Sequence, residues 1–293
     1  MNMRRTLTVT TEGTLLPFLL SEIRDKSRNT VKNLLAGRQV LVDGAVVTRF
    51  DTPLKPGQTV TLLPPESAGA AELPFGVLYE DRDLLVVDKP AGLLSMANEK
   101  EKHRTAYRLV TDYVRAREPG GRVFIVHRLD RDTSGVLVFA KNERMKRGLQ
   151  DNWEKLVQKR GYLAAVEGTL PQKEGEVRSF LRETATHLVY SAARGGDARE
   201  ALTRYRVLSI SRGYTLAEVN IETGRKNQIR VHMKDLGCPV AGDRQYGAAT
   251  DPMGRLALHA YELVFIDPRT RKMMDLKAPL PGGFRKLFPN SGV

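Results

Sequence analysis

The sequence predicts an α+β protein: a larger body built on a mixed, largely antiparallel central sheet, preceded by a small α+β domain. Three observations support this. Apolar strand candidates are not regularly alternated with helical stripes, which disfavours a doubly wound parallel sheet. The composition breaks once, at residues 64–74 (PPESAGAAELP), a run of Pro, Gly and small residues that reads as a linker. The length, 293 residues, suits about two domains of roughly 100–200 residues each. We place the small domain at 1–64, the linker at 65–74 and the larger domain at 75–293, with no internal repeat of long period.

In the small domain, Ser27 suits the N-cap of a helix whose Val31, Leu34 and Leu35 share one face, and Gly37 follows as its stop. Val40–Val42 and Val46-Val47 flank Asp43-Gly44, a strong hairpin-turn signal. Pro56-Gly57 then turns the chain into Val60-Thr61-Leu62. A domain this short has only a thin core of its own. Arg28, Lys32 and Arg38 cluster around the second of its two helices; the pattern alone fits a solvated face as well as an anion-binding one.

In the larger domain, residues 77–79 and 84–87 read as strands around a polar turn, and Ala106, Leu109, Val110, Tyr113 and Val114 form a helical stripe. Residues 123–126 and 136–140 are apolar strand candidates bracketing a polar loop. Asn142 opens a charged helix, and strands return at 162–166, 215–221 and 263–266.

Charge narrows the function classes. Lys and Arg number 47 against 34 Asp and Glu, a net charge of +13, which favours a polyanionic partner, nucleic acid ahead of an anionic membrane surface. The first 64 residues hold nine basic and five acidic side chains, so both parts are basic and suit one shared partner. A lone cysteine, Cys238, excludes an internal disulfide framework and a Cys-based zinc site, and reads as a small apolar filler. Five scattered histidines show no ligand spacing. The opening MNMRRTLTVTTEG lacks a signal peptide's apolar segment, and no apolar run approaches the roughly 18 residues of a spanning helix. A cytoplasmic protein without a membrane partner is expected.

The stretch that carries chemistry is 126–138, VHRLDRDTSGVLV, where eight polar or turn-prone residues sit between two strand candidates. Ser134, His127 and Asp130 or Asp132 supply the residue types of a hydrolase triad, but the G-x-S-x-G elbow is missing. The other reading is a carboxylate, Asp130, kept ionised by Arg128 and Arg131 as a nucleophile or base requires. A structural ion pair in a turn fits the same residues.

HRLDRDTSG resembles the signature of the RluA family of pseudouridine synthases. Three more segments agree in order: Asp88-Lys89-Pro90-Ala91-Gly92-Leu93, Arg160-Gly161-Tyr162-Leu163-Ala164, and TGRKNQIRVH at 223–232, followed by Gly237, Pro239 and Gly242-Asp243. The likeness spans about residues 75–280 and departs at Asn227, where the family usually has His. Residues 14–62 resemble the RNA-binding module named after ribosomal protein S-four. That likeness rests on FLLSEIRDKSRNTVKNLLAGRQVLVDGAVV followed by LKPGQTV, with Leu15-Leu16-Pro17 replacing the module's usual Arg-Leu-Asp.

The resemblance implies a pseudouridine synthase fold and an isomerisation. The bond from ribose to the uracil nitrogen breaks, the base rotates, and it rejoins through carbon 5, with no redox change and no net hydrolysis. No cofactor and no metal are therefore expected. Asp130 is the implied essential carboxylate, attacking the sugar or abstracting a ribose proton, and Arg230 its implied charge partner. Tyr162 offers a ring for uracil to stack on and a group to relay a proton. Arg128 is implied to fill the space left by the flipped base, with pairing to Asp132 as its alternative. Arg225 and Lys226 are implied phosphate contacts, as are Arg28, Lys32 and Arg38 in the small domain. Thr133 and Ser134 shape the loop. The expected partner is RNA, ribosomal first and transfer RNA as the alternative, bound by a monomer. A non-catalytic RNA-binding or ribosome-assembly factor on the same fold is the competing function.

Overall fold

The computed structural model describes residues 5–24, 26–63, 72–99, 101, 104–118 and 120–292. Two compact units emerge: Met1–Pro74 together with Tyr107–Val123, and Phe75–Ala106 together with Phe124–Val293. Most of the linker expected at 65–74 lies outside the described residues. Grouping of 107–123 with the N-terminal segment has no counterpart in the composition.

The first unit runs β1 (Arg5–Thr8), β2 (Gly13–Thr14), α1 (Leu15–Glu22), α2 (Arg28–Ala36), β3 (Val40–Val42), β4 (Ala45–Val46), β5 (Pro53–Leu54) and β6 (Thr59–Leu62). Strands β1, β6, β3 and β4 form an antiparallel sheet in that order, and β2 pairs with β5. Pro17 falls in the first turn of α1, where backbone N–H groups have no helical partner to lose. The Thr30 N–H donates to Ser27 Oγ at 3.2 Å, the N-cap bond expected for α2. Gly37 follows the last helical residue, as expected of the stop, while the left-handed residue is Arg38 (φ 57°), one beyond it. The N–H groups of Arg38 and Gln39 reach back to the Leu35 and Leu34 carbonyls, so the backbone bonds of the last turn set the exit. Asp43 and Gly44 both take positive φ, 49° and 82°, as a two-residue hairpin turn requires. Leu15, Leu19, Val31, Leu35, Val40 and Val60 fill the core. Arg28, Lys32 and Arg38 are exposed, and Lys32 Nζ stands 5.4 Å from the ring centroid of the half-exposed Phe50.

The second unit begins with β7 (Val77–Glu80) and β8 (Leu84–Lys89). Helix α3 (Ala106–Arg117) follows in the chain and buries the expected Ala106, Val110, Tyr113 and Val114, though all but its first residue group with the first unit. Next come β9 (Phe124–Ile125), β10 (Ser134–Ala140), α4 (Glu143–Gln150), α5 (Trp153–Leu156) and β11 (Val157–Glu167). The chain continues through β12 (Glu174–Glu183), β13 (Val189–Ala192), β14 (Arg199–Ser211), β15 (Tyr214–Ile221) and α6 (Gln228–Asp235). It closes with β16 (Leu258–Ile266), β17 (Met273–Lys277) and α7 (Gly282–Leu287). Asn142 caps α4 by accepting the Met145 N–H at 2.9 Å.

The sheet order is β13-β12-β14-β15-β11-β16-β10-β8-β7, with β17 on β16 and β9 on β10. Every pairing is antiparallel except β10 with β16, so the sheet is mixed and mostly antiparallel, as expected. That parallel contact is short, Ser134 opposite His259 and Gly135 opposite Ala260. A Cβ on Gly135 (φ 116°) would sit 2.0 Å from the Ala260 carbonyl oxygen, so only glycine permits this approach. Strands β12 and β14 escape the sequence reading because their outer faces carry charge at alternate positions: Glu176 and Arg178 in one, Arg204 and Arg206 in the other. One apolar cluster includes Leu163, Leu216, Ile229 and Phe284; a second includes Val86, Val136, Val138 and Leu149.

Candidate active site

The loop 126–133 leaves β9, crosses the end of the sheet and re-enters at β10. Three anchors fix it. Ser95 Oγ donates to the Leu129 carbonyl at 2.7 Å and accepts the Leu129 N–H at 3.0 Å. The Thr133 N–H closes a turn on the Asp130 carbonyl at 3.2 Å. Lys89, fully buried, donates from Nζ to the carbonyls of Leu93 (2.7 Å), Pro90 (3.0 Å) and Arg131 (3.0 Å). Burial pulls the Lys89 ammonium down to about 7, against the pull of Asp132 and Asp130. Three carbonyls satisfy its three donors, so the lysine ties the 88–93 segment to the loop.

A cleft of about 710 Å³ opens beside this loop, lined on one wall by residues 126–130 and on the other by residues 221–230. Asp130, Tyr162, Arg230, Arg128, Arg225 and Lys226 all line it, so the structure gathers every site residue expected in the larger domain. Arg28, Lys32 and Arg38 belong to the other unit.

Burial raises the Asp130 carboxyl above the usual aspartate range; the charges of Arg230 and Arg128 and a hydrogen bond from the Asn227 N–H oppose the rise. Asn227 caps α6 in the left-handed region (φ 53°), a conformation Asn accepts more readily than most residues. That conformation brings its N–H to Asp130. Its side chain accepts from Arg230 Nη1 at 3.0 Å and donates to the Tyr246 hydroxyl at 3.1 Å.

Arg230 was expected to pair with Asp130. Its ion pair is with Asp243, bidentate at 2.6 and 2.7 Å, both side chains being buried. Gln245 accepts a further bond at 3.0 Å, and the Tyr246 ring lies 4.7 Å from the guanidinium carbon. Among the described residues no ion pair joins Arg230 to Asp130; the arginine acts on the carboxyl through its charge.

Tyr162 projects from β11 into the cleft. Burial pushes its phenol up to about 12, so it is protonated at neutral pH. Gln228 shapes the opposite wall, accepting from Thr223 Oγ1 (2.8 Å) and the Arg225 N–H (3.0 Å) while donating to Leu202 O (3.0 Å) and Thr203 Oγ1 (2.9 Å). Arg225 donates from Nε to the Glu200 carbonyl at 2.9 Å, and Lys226 Nζ lies 2.5 Å from Glu183 Oε1.

Two sequence alternatives fail. Asp132 is taken by Arg131 at 3.0 Å, which leaves the exposed Arg128 without an ion pair among the described residues. The hydrolase triad is not assembled, because His127 Nε2 accepts the Val138 N–H at 3.1 Å. Ser134 is buried, takes a bond from Arg255 Nη2 at 2.7 Å and meets His259 Nδ1 at 2.8 Å. No group of metal-binding side chains is found among the described residues. Sequence reasoning gave no role to Asp243, Lys89 or the Asn227 N–H. The segments 88–93 and 242–243 marked the first two, while a backbone donor leaves no trace in a side-chain pattern.

A family model described as RNA pseudouridylate synthase matches residues 83–235. A Bacillus subtilis protein described as an uncharacterized RNA pseudouridine synthase is 34% identical over 93% of this chain and 92% of its own. The ribosomal large subunit pseudouridine synthase D of Xanthomonas campestris is also 34% identical, over 89% of this chain and 84% of that one. Among solved structures, human RNA pseudouridylate synthase domain containing 1 superposes with a TM-score of 0.58 at 26% identity, covering 73% of this chain and 86% of that one. With the fold, the four motif segments and these relatives in agreement, the chain belongs to the RluA-type RNA pseudouridine synthases, a family of isomerases.

Proposed function

We propose that the protein converts uridine to pseudouridine in ribosomal RNA, with Asp130 as the essential carboxylate, Tyr162 against the base and Arg230 as the charge that keeps Asp130 competent. The observation that carries this reading is the convergence of these three side chains on one cleft, with the Asn227 N–H bound to the Asp130 carboxylate. The ionised carboxylate acts on the ribose, as nucleophile or as base, and the bond to uracil N1 breaks. The freed base turns against the Tyr162 ring, and carbon 5 bonds to carbon 1′ as the Asp130–sugar bond breaks or the ribose proton taken by Asp130 returns. The carbon 5 proton then leaves and N1 takes up a proton. Stacking on such a ring contributes about 1–3 kcal/mol per base. The neutral Tyr162 hydroxyl is a proton relay at this point.

A uridine in folded RNA must first leave its stack, at a cost of a few kcal/mol. Arg128, exposed at the cleft and free of an ion pair among the described residues, fills the vacated space. Lys226 exchanges Glu183 for a phosphate, and Arg225 stands beside it. Ribosomal RNA is favoured by relatives named as large-subunit synthases and by the basic N-terminal unit. Mapping pseudouridines in ribosomal and transfer RNA from cells with and without the protein tests the substrate. A site that disappears only from transfer RNA would replace the ribosomal assignment.

The active form of Asp130 is the ionised one, and burial raises its folded pKa above 3.8. The acid limb of kcat/KM is therefore expected above the ordinary aspartate range. Arg128→Gln, which removes one favourable charge, should move that limb to still higher pH. A limb at or below the ordinary range, or one unmoved in the variant, contradicts the role of Asp130.

The N-terminal unit, proposed as residues 1–64 with an RNA-binding surface, offers Arg28, Lys32 and Arg38 to phosphates. Because residues 107–123 group with this unit, substitution tests it more cleanly than truncation. The triple Gln variant should flatten the slope of log affinity against log salt by about 0.7–0.9 for each phosphate left unneutralised. Single-turnover rate at saturating RNA should change less. An unchanged slope would remove these three residues from the interface.

A further inference from the structure

A second cavity, of about 600 Å³, adjoins the catalytic cleft and shares a wall with it: Trp153, Glu154, Arg160, Ile221 and Glu222 line both. The far side of this cavity is formed by Lys159, Arg204 and Asn220, none of which the proposed chemistry uses.

Three features of this cavity fit a nucleotide. Trp153, half-buried, lies with its ring 5.0 Å from that of His127, tilted by 31°, and is held by the apolar cluster beneath it. An aromatic ring that is braced yet accessible is a platform for any base. Arg160 stands on the shared wall, partly buried and donating to the Glu222 carbonyl, but forms no ion pair among the described residues. Burial holds its pKa below the usual arginine value, against the pull of Glu222 and Glu154 on the same wall. Lys159 and Arg204, by contrast, are already paired: Lys159 with Glu218 and Glu262, Arg204 with Glu176 and Glu222.

The third feature is an incomplete amide. Asn220 sits in β15 opposite Arg204 of β14 and Gly161 of β11. Its Oδ1 is buried and has no hydrogen-bond partner among the described residues. Such groups are few in folded proteins and call for an explanation. The terminal torsion of Asn is soft, so the amide can turn its acceptor toward the cavity it lines.

We propose that the second cavity is the subsite for the nucleotide adjoining the target uridine, with Arg160 on the phosphodiester between them, Trp153 under the neighbouring base and Asn220 accepting from that base's amino group. This rests on the cleft around Asp130 being where the uridine reacts. A cation on the wall between two cavities, each with room for a nucleotide, matches the one anionic group that a dinucleotide places there. Asn220 thereby becomes a specificity-determining residue, selecting for an amino-bearing base next to the modified uridine.

Trp153 is the single tryptophan of the chain, so its emission reports on the subsite directly. The full-length protein is titrated with a stem-loop substrate and with two versions carrying an abasic residue immediately 5′ or 3′ of the target uridine. One abasic position, and only one, should lose most of the Trp153 quenching and raise KM about tenfold, with a smaller change in kcat. Asn220→Leu should melt at or above the wild-type temperature, since the amide oxygen has no partner to lose. That variant should also raise KM about tenfold and erase the preference for adenosine over purine riboside, which lacks the amino group, at the neighbouring position. Two abasic RNAs that behave like the intact one, or a preference that survives in Asn220→Leu, would overturn the subsite. The underlying reading fails separately: an Asp130→Asn protein with normal turnover removes the uridine from this cleft, whereas an inactive one with unaffected abasic RNAs removes the subsite alone.

Discussion

Replacing Asp130 with asparagine should abolish release of tritium from uracil carbon 5, a loss of roughly 10³-fold or more, while RNA binding is largely kept. Asparagine has the shape of aspartate and can still accept the Asn227 N–H, but it cannot attack the sugar or take a proton. The same substitution should raise the melting temperature. The folded pKa of Asp130 lies above its unfolded value, so its contribution to stability is full below the unfolded pKa and is lost as pH rises through the folded one. At neutral pH the buried charge is a net cost, and each kcal/mol relieved is worth about 2–4 °C in a domain of this size. The gain should shrink as the melts are taken toward pH 4. Turnover near the wild-type rate would sink the assignment, and a variant that melts lower at neutral pH would contradict the electrostatic account.

Asp243→Asn should be the most damaging substitution for stability among the site residues. It leaves the buried Arg230 guanidinium without its bidentate carboxylate, and breaking a buried pair from one side costs about 3–5 kcal/mol. The melting temperature should fall by roughly 6–20 °C on the same scale. Single-turnover rate should fall by about 10²-fold as well, because a guanidinium no longer held by Asp243 drifts from the place where its charge acts on Asp130. Adding Arg230→Gln to Asp243→Asn should recover part of the stability and none of the rate. A single variant that melts and reacts like wild type would show that the pair neither braces α6 nor positions Arg230.

Much of this was legible in the sequence, for physical reasons that differ by element. The apolar run of β10 announces a strand buried on both faces, and Asp43-Gly44 announces a hairpin, because each depends on residues adjacent in the chain. The motif around Asp130 marked the reactive loop. Strands β12 and β14 were not legible, since a strand with one charged face in a solvent-facing sheet looks like a polar segment. Gly37 marked the end of α2, but the left-handed residue beyond it, Arg38, was not legible, because backbone bonds from Arg38 and Gln39 decide where it falls. The pairing of Arg230 with Asp243 was missed because two carboxylates compete for one guanidinium. Only the three-dimensional path of the chain after α6 decides which one wins.

Strand β16 is synthesised late, yet it stands between β11, which carries Tyr162, and β10, which follows Asp130. A growing chain that has reached residue 257 already contains every acid, phenol and guanidinium of the cleft. Its two half-sheets are nevertheless unjoined, because Ser134 must wait for His259, 125 residues downstream, before the parallel seam can close. Contacts this far apart in sequence are among the slowest to form. Modifying capacity is therefore acquired in a single late event, and a nascent chain, or one cut short before β16, is chemically silent toward the RNA around it.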